Sequence, residues 1–323
     1  MTTPSSIAAQ QFSFVSGEDS SNVFVRKWMP SMGTRIRAMV QITHGIAEHG
    51  GRYEGLATFL AERGYIVYAL DLCAHGETAG PDKLGQAGLN AWAIMTSDIR
   101  QLAEIARTEH PDLRLIAFGH SMGSALTQYH IQHNGDLLAG AILCGTMGAV
   151  PGIAEAEVAS TLQRLHGLAT GPDAQAPSPV FGELIAHLNA PFAQGIQAPT
   201  GCEWQTGDPD EIRRFLSDPL CAKPFSNSLT YAVLTGFRNL WIHEHESAIP
   251  NALPILIIAG TEDPVGDRTR SIRELIVRYV RQGHLALSYR FYEGGRHEIL
   301  NDTGKERVLH DIEHWLSVTL DFQ

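Results

Sequence analysis

A serine flanked by glycines occupies a position where a nucleophile could be displayed. The pentapeptide Gly119-His120-Ser121-Met122-Gly123 follows an apolar run at 113–118 and precedes a helical pattern from 124 onwards. A tight turn between strand and helix exposes a hydroxyl at the sheet edge, and the glycines let the two backbones approach each other. By itself the pentapeptide also fits an ordinary turn. Its position after a strand favours a nucleophilic Ser121 in a strained turn with positive φ.

A serine hydroxyl reacts at neutral pH only when a base takes its proton and an acid orients that base. For this class of turn the chain order is serine, then acid, then histidine. The acids that follow the predicted strand 254–260 are Glu262, Asp263 and Asp267. Asp263 is favoured because it comes directly after the strand and before a proline, whereas Asp267 suits a helix cap.

The base must lie on an exposed loop near the same sheet edge. His297 follows the last predicted strand and a pair of glycines, which fits that requirement. The other histidines of this region fit less well, because they precede the strand or lie on a helical pattern: His284, His310 and His314. We therefore predict a triad of Ser121, Asp263 and His297.

The reaction also needs two backbone N–H groups to hold the developing oxyanion. One is expected from Met122, directly after the nucleophile. The other is expected from Ile46, in the loop that follows the predicted strand 36–45.

The elements needed to position these groups alternate along the chain. The predicted strands are apolar and β-branched, and most end near a glycine: 24–30, 36–45, 65–72, 113–121, 138–146, 254–260 and 286–295. Amphipathic helical patterns separate them: 52–63, 90–110, 271–282 and 305–320. This alternation predicts an α/β fold with a mostly parallel central sheet and helices on both faces.

One stretch of about a hundred residues interrupts this rhythm. Between 148 and 248 the sequence shows no convincing buried strand, and helical patches appear at 181–188 and 209–216. We predict a core formed by 1–147 and 249–323 with a mainly helical cap at 148–248 over the carboxyl edge of the sheet. The aromatic candidates for an apolar channel in this cap are Phe192, Trp204, Phe215 and Phe225.

Four ordered segments resemble one known family. The segment HGIAEHGGRY at 44–53 resembles the HGxxEHxxRY segment of the monoacylglycerol lipase and lysophospholipase group of α/β-hydrolases. The segments GHSMG at 119–123, GTEDPVGD at 260–267 and GGRHEILND at 294–302 resemble that group's nucleophile, acid and histidine segments, and DPLC at 218–221 resembles part of the bacterial cap.

The resemblance covers nearly the whole chain after residue 12 and implies an α/β-hydrolase fold with a mobile, lipophilic cap. It implies a serine hydrolase with the triad and oxyanion donors named above, and monoacylglycerols or similar mono-esters as substrates. Glu48 and Arg52 correspond to residues that hold the glycerol head in the animal lipase. A salt-bridged pair that closes the loop is an equal interpretation of these two residues.

Two other functions remain open at this point. A serine aminopeptidase of the proline-iminopeptidase kind would have a similar triad and would need an acidic anchor for the substrate amine, such as Glu203 or Glu244. A non-catalytic binding protein on the same fold would usually have lost a triad residue. The serine in the turn disfavours the members of this fold that use an aspartate nucleophile.

Composition excludes several partners. The chain has 323 residues and a formal charge of −11, so it lacks the basic footprint that nucleic-acid binding requires. No signal sequence or membrane-spanning run is visible, so we expect a soluble cytoplasmic protein, compatible with transient contact with a membrane surface.

The four cysteines show no CxxC spacing, which favours free thiols. His243-Glu244-His245 has the wrong spacing for a helical metal site. We therefore expect no metal and no cofactor, and the oligomeric state is left open.

Overall fold

The computed structural model describes residues 7–149 and 155–321, with the backbone alone at 155–157. Its eight strands are β1 (Gln10–Val15), β2 (Asn22–Trp28), β3 (Ala38–Thr43), β4 (Tyr65–Leu70), β5 (Leu115–His120), β6 (Gly140–Cys144), β7 (Ile255–Gly260) and β8 (Leu287–Tyr292). They form one sheet in the order β1-β2-β4-β3-β5-β6-β7-β8. The pairs from β4 to β8 are parallel, whereas β1 pairs with β2 and β2 pairs with β4 in antiparallel fashion.

The described helices are α1 (Glu54–Ala61), α2 (Gly76–Ala79), α3 (Ala91–Glu109), α4 (Met122–Asn134), α5 (Glu155–Ala169), α6 (Pro179–Asn189), α7 (Pro209–Ser217), α8 (Asn227–Arg238), α9 (His243–Glu246), α10 (Arg270–Arg281) and α11 (Lys305–Asp321). Three short 3-10 helices lie at Gly50–Tyr53, Gly135–Leu137 and Ile299–Asn301. No described helix is both long enough and apolar enough to cross a lipid bilayer.

Apolar layers cover both faces of the sheet. Val40 of β3 packs in a cluster with side chains of α1 and α11, while the preceding residue, Met39, packs in a second cluster with α3, α4 and α8. Successive side chains of a strand point to opposite faces, so a strand buried on both faces is apolar throughout. The predicted α/β-hydrolase fold with a mostly parallel sheet and helices on both faces is confirmed.

The first strand was not predicted from the sequence. β1 is an exposed edge strand in which only Phe12 and Phe14 are partly buried and pack against the second cluster. Half-buried antiparallel edges give a weak apolar signal.

The chain between β6 and β7 supplies helices α5 to α9. Its described residues hold one isolated bridge, between Pro177 and Ser226, and no strand of the sheet. The two helical patches predicted there correspond to α6 and α7, while α5 and α8 had not been recognised. The predicted boundary at 147/148 lies just before residues 150–154, which are outside the described part. The division into core and cap therefore stays a prediction.

Candidate active site

The turn that carries Ser121 joins β5 to α4. Ser121 has φ 55° and ψ −123°, the left-handed backbone expected for a residue at such a turn. Its N–H donates to the carbonyl of Cys144 at 3.0 Å, which ties the turn to the end of β6. A Cβ added to Gly123 would lie 2.1 Å from the Thr43 carbonyl oxygen, so only glycine lets α4 approach β3 this closely.

His297 and Asp263 are brought together from the ends of β8 and β7. Nδ1 of His297 lies 3.0 Å from each carboxylate oxygen of Asp263. Oδ1 of Asp263 also accepts the N–H of Val265 at 2.9 Å, which fixes the carboxylate. Both side chains are almost fully buried. A carboxylate at Nδ1 holds the imidazole in the tautomer whose Nε2 can accept a proton.

The other two acids lie in different surroundings. Glu262 is paired with Arg268, and Asp267 is paired with Arg270 at 2.5 Å. Both of these ion pairs are solvent-exposed. Of the three sequence candidates, Asp263 is therefore the one whose carboxylate contacts His297.

Nε2 of His297 is buried and makes no hydrogen bond with the described residues. The imidazole lies between two rings, with centroids 4.7 Å from that of His120 and 4.9 Å from that of Trp204. His120 immediately precedes Ser121, so the imidazole is beside the nucleophile turn. The structure records no hydrogen bond between Ser121 Oγ and Nε2, a contact that is often long before substrate binds.

The loop after β3 is fixed from both sides of Gly45. The Gly45 N–H donates to Oε1 of Glu48 at 2.5 Å, and the Gly45 carbonyl accepts from Nδ1 of His44 at 2.8 Å. Because the peptide bond is trans, fixing this carbonyl also fixes the opposite direction of the Ile46 N–H. A Cβ on Gly45 would lie 3.0 Å from Cβ of Ser121, so the loop touches the nucleophile turn. The assignment of Ile46 and Met122 as the two oxyanion donors stays a prediction.

The sequence did not predict that His44 holds the Gly45 carbonyl. Its Nε2 accepts the Leu72 N–H at 3.0 Å, which leaves Nδ1 protonated to hold the Gly45 carbonyl. Burial lowers the pKa of His44, and this favours the neutral ring that the arrangement requires.

Glu48 and Arg52 lie in a buried charged network. Arg52 donates to Oε2 of Glu48 at 2.7 Å and makes a bidentate ion pair with Glu298, at 2.8 and 2.7 Å. Tyr53 donates to Oε1 of Glu48 at 2.7 Å. Glu298 follows His297, so the guanidinium connects the loop after β3 with the histidine loop. The sequence could not show the Arg52–Glu298 pair because these residues are 246 positions apart.

This network supports the salt-bridge interpretation of Glu48 and Arg52, whereas the contact with substrate stays a prediction. Burial alone would raise the pKa of Glu48, but the Arg52 guanidinium and the hydrogen bond with His120 outweigh it and hold that pKa well below its usual value. The pKa of Glu298 is likewise lowered, because Arg52 outweighs its burial.

Removing the cation should destabilise the fold strongly. We expect Arg52→Met to reduce the free energy of unfolding by about 3–5 kcal/mol, because two buried carboxylates lose their counter-charge. Urea unfolding at neutral pH measures this. Arg100→Met serves as the control, because Arg100 pairs with Glu104 on an exposed helix face and should change stability by less than about 1 kcal/mol. Equal losses in the two variants would contradict the role given to Arg52.

The cost of that substitution should depend on pH. Glu48 and Glu298 have lowered pKa values in the folded protein, so the stability they contribute is present above the ordinary value of 4.5 and is lost as pH falls through the folded values. We therefore expect the difference between wild type and Arg52→Met to shrink below pH 4.5. A difference that stays constant between neutral and acidic urea titrations would exclude this electrostatic origin.

One further cluster has the residue types of a metal site. Ligand atoms of His49, Asp218 and Cys221 lie within 4.8 Å of one another. Nδ1 of His49 accepts the Gly51 N–H at 3.1 Å, so Nε2 carries the proton and donates to Asp218 at 3.0 Å. Burial raises the pKa of the Cys221 thiol. The arrangement is that of a hydrogen-bonded pair beside a protonated thiol. All four cysteines are free thiols.

A cavity of about 530 Å³ opens beside the nucleophile. Ser121, Met122 and Ile46 line one end of it, and Trp204 forms part of its wall. Most of the rest of its described lining is apolar: Met147, Leu184, Ile185, Leu188, Leu234, Phe237, Trp241, Pro264 and Val265. Of the four predicted channel aromatics, Trp204 lines this cavity. Phe225 is instead buried in the second apolar cluster, where it stacks on Phe181.

Comparison with known proteins agrees with this arrangement. Residues 34–304 match the family model described as serine aminopeptidase, S33. The chain belongs to this family. The matched region contains the segments that carry Ser121, Asp263 and His297, so the α/β-hydrolase family expected from the sequence is confirmed.

Similar proteins indicate the enzyme class. The chain is 26% identical to the monoacylglycerol lipase of Mycolicibacterium smegmatis over 90% of each chain. It is 24% identical to the monoglyceride lipase of Mus musculus over 98% of this chain and 93% of that protein. A carboxyl esterase from Bacillus coagulans, solved with glycerol, superposes with a TM-score of 0.86 at 28% identity, covering 97% and 99% of the two chains. The expected class of carboxylic ester hydrolase is confirmed by these similarities.

Proposed function

We propose that this S33 family member hydrolyses monoacylglycerols or similar mono-esters with a lipophilic acyl group, through a Ser-His-Asp triad. The observation that carries the proposal is the convergence of the Asp263–His297 pair, the strained Ser121 turn and an apolar cavity at one edge of the sheet. The named relatives act on monoglycerides or are carboxyl esterases, which supports the same class of substrate.

The reaction then proceeds in two acyl transfers. Ser121 Oγ attacks the ester carbonyl while His297 Nε2 takes its proton, and the N–H groups of Ile46 and Met122 hold the oxyanion. The carbon–alkoxide bond breaks, and the leaving alcohol receives that proton from His297. Water, deprotonated by His297, attacks the acyl-enzyme. The bond between the acyl carbon and Ser121 Oγ then breaks, Oγ regains the proton from His297, and the carboxylic acid is released. Asp263 stabilises the imidazolium in both steps.

The aminopeptidase alternative is supported by the description of the family model, but the one acid among the described residues that line the active-site cavity, Asp267, is already paired with Arg270. Both carboxylate oxygens of Glu203 already accept hydrogen bonds, from Asn189, Thr200 and Gly201. These bonds outweigh burial and lower the Glu203 pKa to about 2. Glu244 lies on the exposed face of α9.

Two substrates with a common acyl group separate the functions. We expect hydrolysis of 1-monoacylglycerols of medium acyl length and of the matching p-nitrophenyl esters, with little turnover of aminoacyl anilides that carry a free amine. Preference for the free-amine anilides would favour the peptidase. No turnover of either class, with no covalent phosphonate adduct on Ser121 by mass spectrometry, would favour a binding protein.

A further inference from the structure

A second large cavity meets the active-site cavity at Ile46. It has a volume of about 550 Å³, close to the 530 Å³ of the first, and both volumes are in the range of small-molecule sites. The two cavities share three lining residues, Ile46, Ile185 and Trp204. Ile46 is one of the two proposed oxyanion donors, so the two cavities diverge from the place where the ester carbonyl would lie.

Helix α6 forms the wall between the cavities. Leu184 and Leu188 line the first cavity, whereas Gly182 and Ala186 line the second. Ile185 lies between these two faces and contributes to both. The C-terminal end of α6 is held to the chain near Trp204, because Asn189 Oδ1 accepts the Trp204 N–H at 3.0 Å. The wall between the cavities is therefore formed by the end of a packed helix and not by a single side chain.

The position of the histidine loop indicates which arm of an ester each cavity receives. His297 must deliver a proton to the leaving alcohol, so the alcohol arm starts beside its ring. Trp204 packs on that ring, and the Glu298 N–H donates to the carbonyl of Gln205 at 2.6 Å. Gln205 lines the second cavity, whereas Ser121 and Met122 line the first. The acyl arm therefore belongs in the first cavity and the alcohol arm in the second.

The second cavity is largely apolar but has a polar rim. Phe181 and Phe215 lie in its wall, and Thr200 and Lys223 belong to its lining. Lys223 is the one charged residue among the described lining residues. A site of this volume is larger than a short polyol needs, and its apolar wall favours burial of hydrocarbon or aromatic surface.

Building on the proposed ester hydrolysis, we propose that this enzyme's substrates carry a bulky lipophilic alcohol as well as a lipophilic acyl group, with α6 and Trp204 separating the two arms. The alcohol is aromatic or branched, and its far end reaches toward the polar rim near Lys223. Such esters present apolar surface on both sides of the carboxyl group, and both surfaces become buried at once.

Two ester series test the assignment of the arms. The first keeps butyrate as the acyl group and varies the alcohol from ethanol to benzyl alcohol and 2-naphthylmethanol, which are all unactivated leaving groups. The second keeps ethanol and lengthens the acyl chain from butyrate to octanoate. We expect kcat/KM of the wild type to rise at least about tenfold along each series, as filling an apolar pocket does.

Matched variants on the two faces of α6 localise the effect. Ala186→Trp should lower kcat/KM for the naphthylmethyl ester by about tenfold or more and leave ethyl octanoate unchanged. Leu188→Trp should do the reverse. Ala190→Phe, at the end of α6 and also in the second cavity, repeats the first test if Ala186→Trp unfolds, and its activity on ethyl octanoate reports folding.

The outcomes separate this inference from the proposed function. No gain along the alcohol series, or equal losses of both esters in Ala186→Trp and Ala190→Phe, overturns the two-arm assignment while ester hydrolysis stands. If no ester in either series is hydrolysed, the proposed function itself fails.

Discussion

Ser121→Ala is expected to lower kcat for a p-nitrophenyl ester by ~10³ to 10⁶-fold while the fold is retained. Without Oγ no acyl-enzyme forms, and only the oxyanion donors and the binding cavity remain to assist attack by water. Alanine differs from serine only by the missing hydroxyl, and it must adopt the same positive φ. Little change in stability is therefore expected. Steady-state kinetics with active-site titration measures the loss.

A matched control for this variant is Ser217→Ala. Ser217 is exposed at the end of α7, where its hydroxyl donates to the Arg214 carbonyl, and its loss should leave kcat unchanged. Undiminished turnover in Ser121→Ala, with Tm and circular dichroism equal to those of the wild type, would eliminate the serine mechanism.

Asp263→Asn should lower kcat by about 10⁴-fold. Both carboxylate oxygens lie 3.0 Å from Nδ1 of His297, and an amide there can donate a hydrogen bond as well as accept one. A donated bond favours the tautomer with the proton on Nε2, which can no longer accept the proton of Ser121. The imidazolium formed during the reaction also loses its counter-charge. The pH dependence of kcat/KM on the same ester measures both consequences.

Two neighbouring acids provide the controls. Glu262→Gln and Asp267→Asn remove a carboxylate from the same loop, but their carboxylates pair with arginines and not with His297. Glu262→Gln should keep kcat within a few fold of the wild type. Asp267 and Arg270 line the active-site cavity, so Asp267→Asn should change KM more than kcat. A loss in Glu262→Gln as large as that in Asp263→Asn would mean that the acid of the triad had been assigned wrongly.

Local patterns in the sequence predicted seven of the eight described strands. The inner strands β3 to β7 are largely apolar runs, because helices cover both faces of the sheet and every residue of these strands is buried. β1 was not predicted because it is an exposed edge strand in which only Phe12 and Phe14 are partly buried. α5 and α8 were not predicted. They pack against each other, and α8 also joins the second apolar cluster, which are contacts between distant segments that the sequence does not show.

The candidate catalytic groups could be selected from the chain because each follows a predicted strand, and parallel strands end at the same edge of a sheet. The turn chemistry around Ser121, the position of Asp263 before a proline and the glycine-rich loop at His297 are all local signals. Three other features could not be predicted from local signals. They are the Arg52–Glu298 pair, the two hydrogen bonds that fix Gly45, and the wall that α6 forms between the two cavities. They depend on how segments far apart in the chain pack together, and neither periodicity nor spacing encodes a charge partner 246 residues away or the volume enclosed by distant walls.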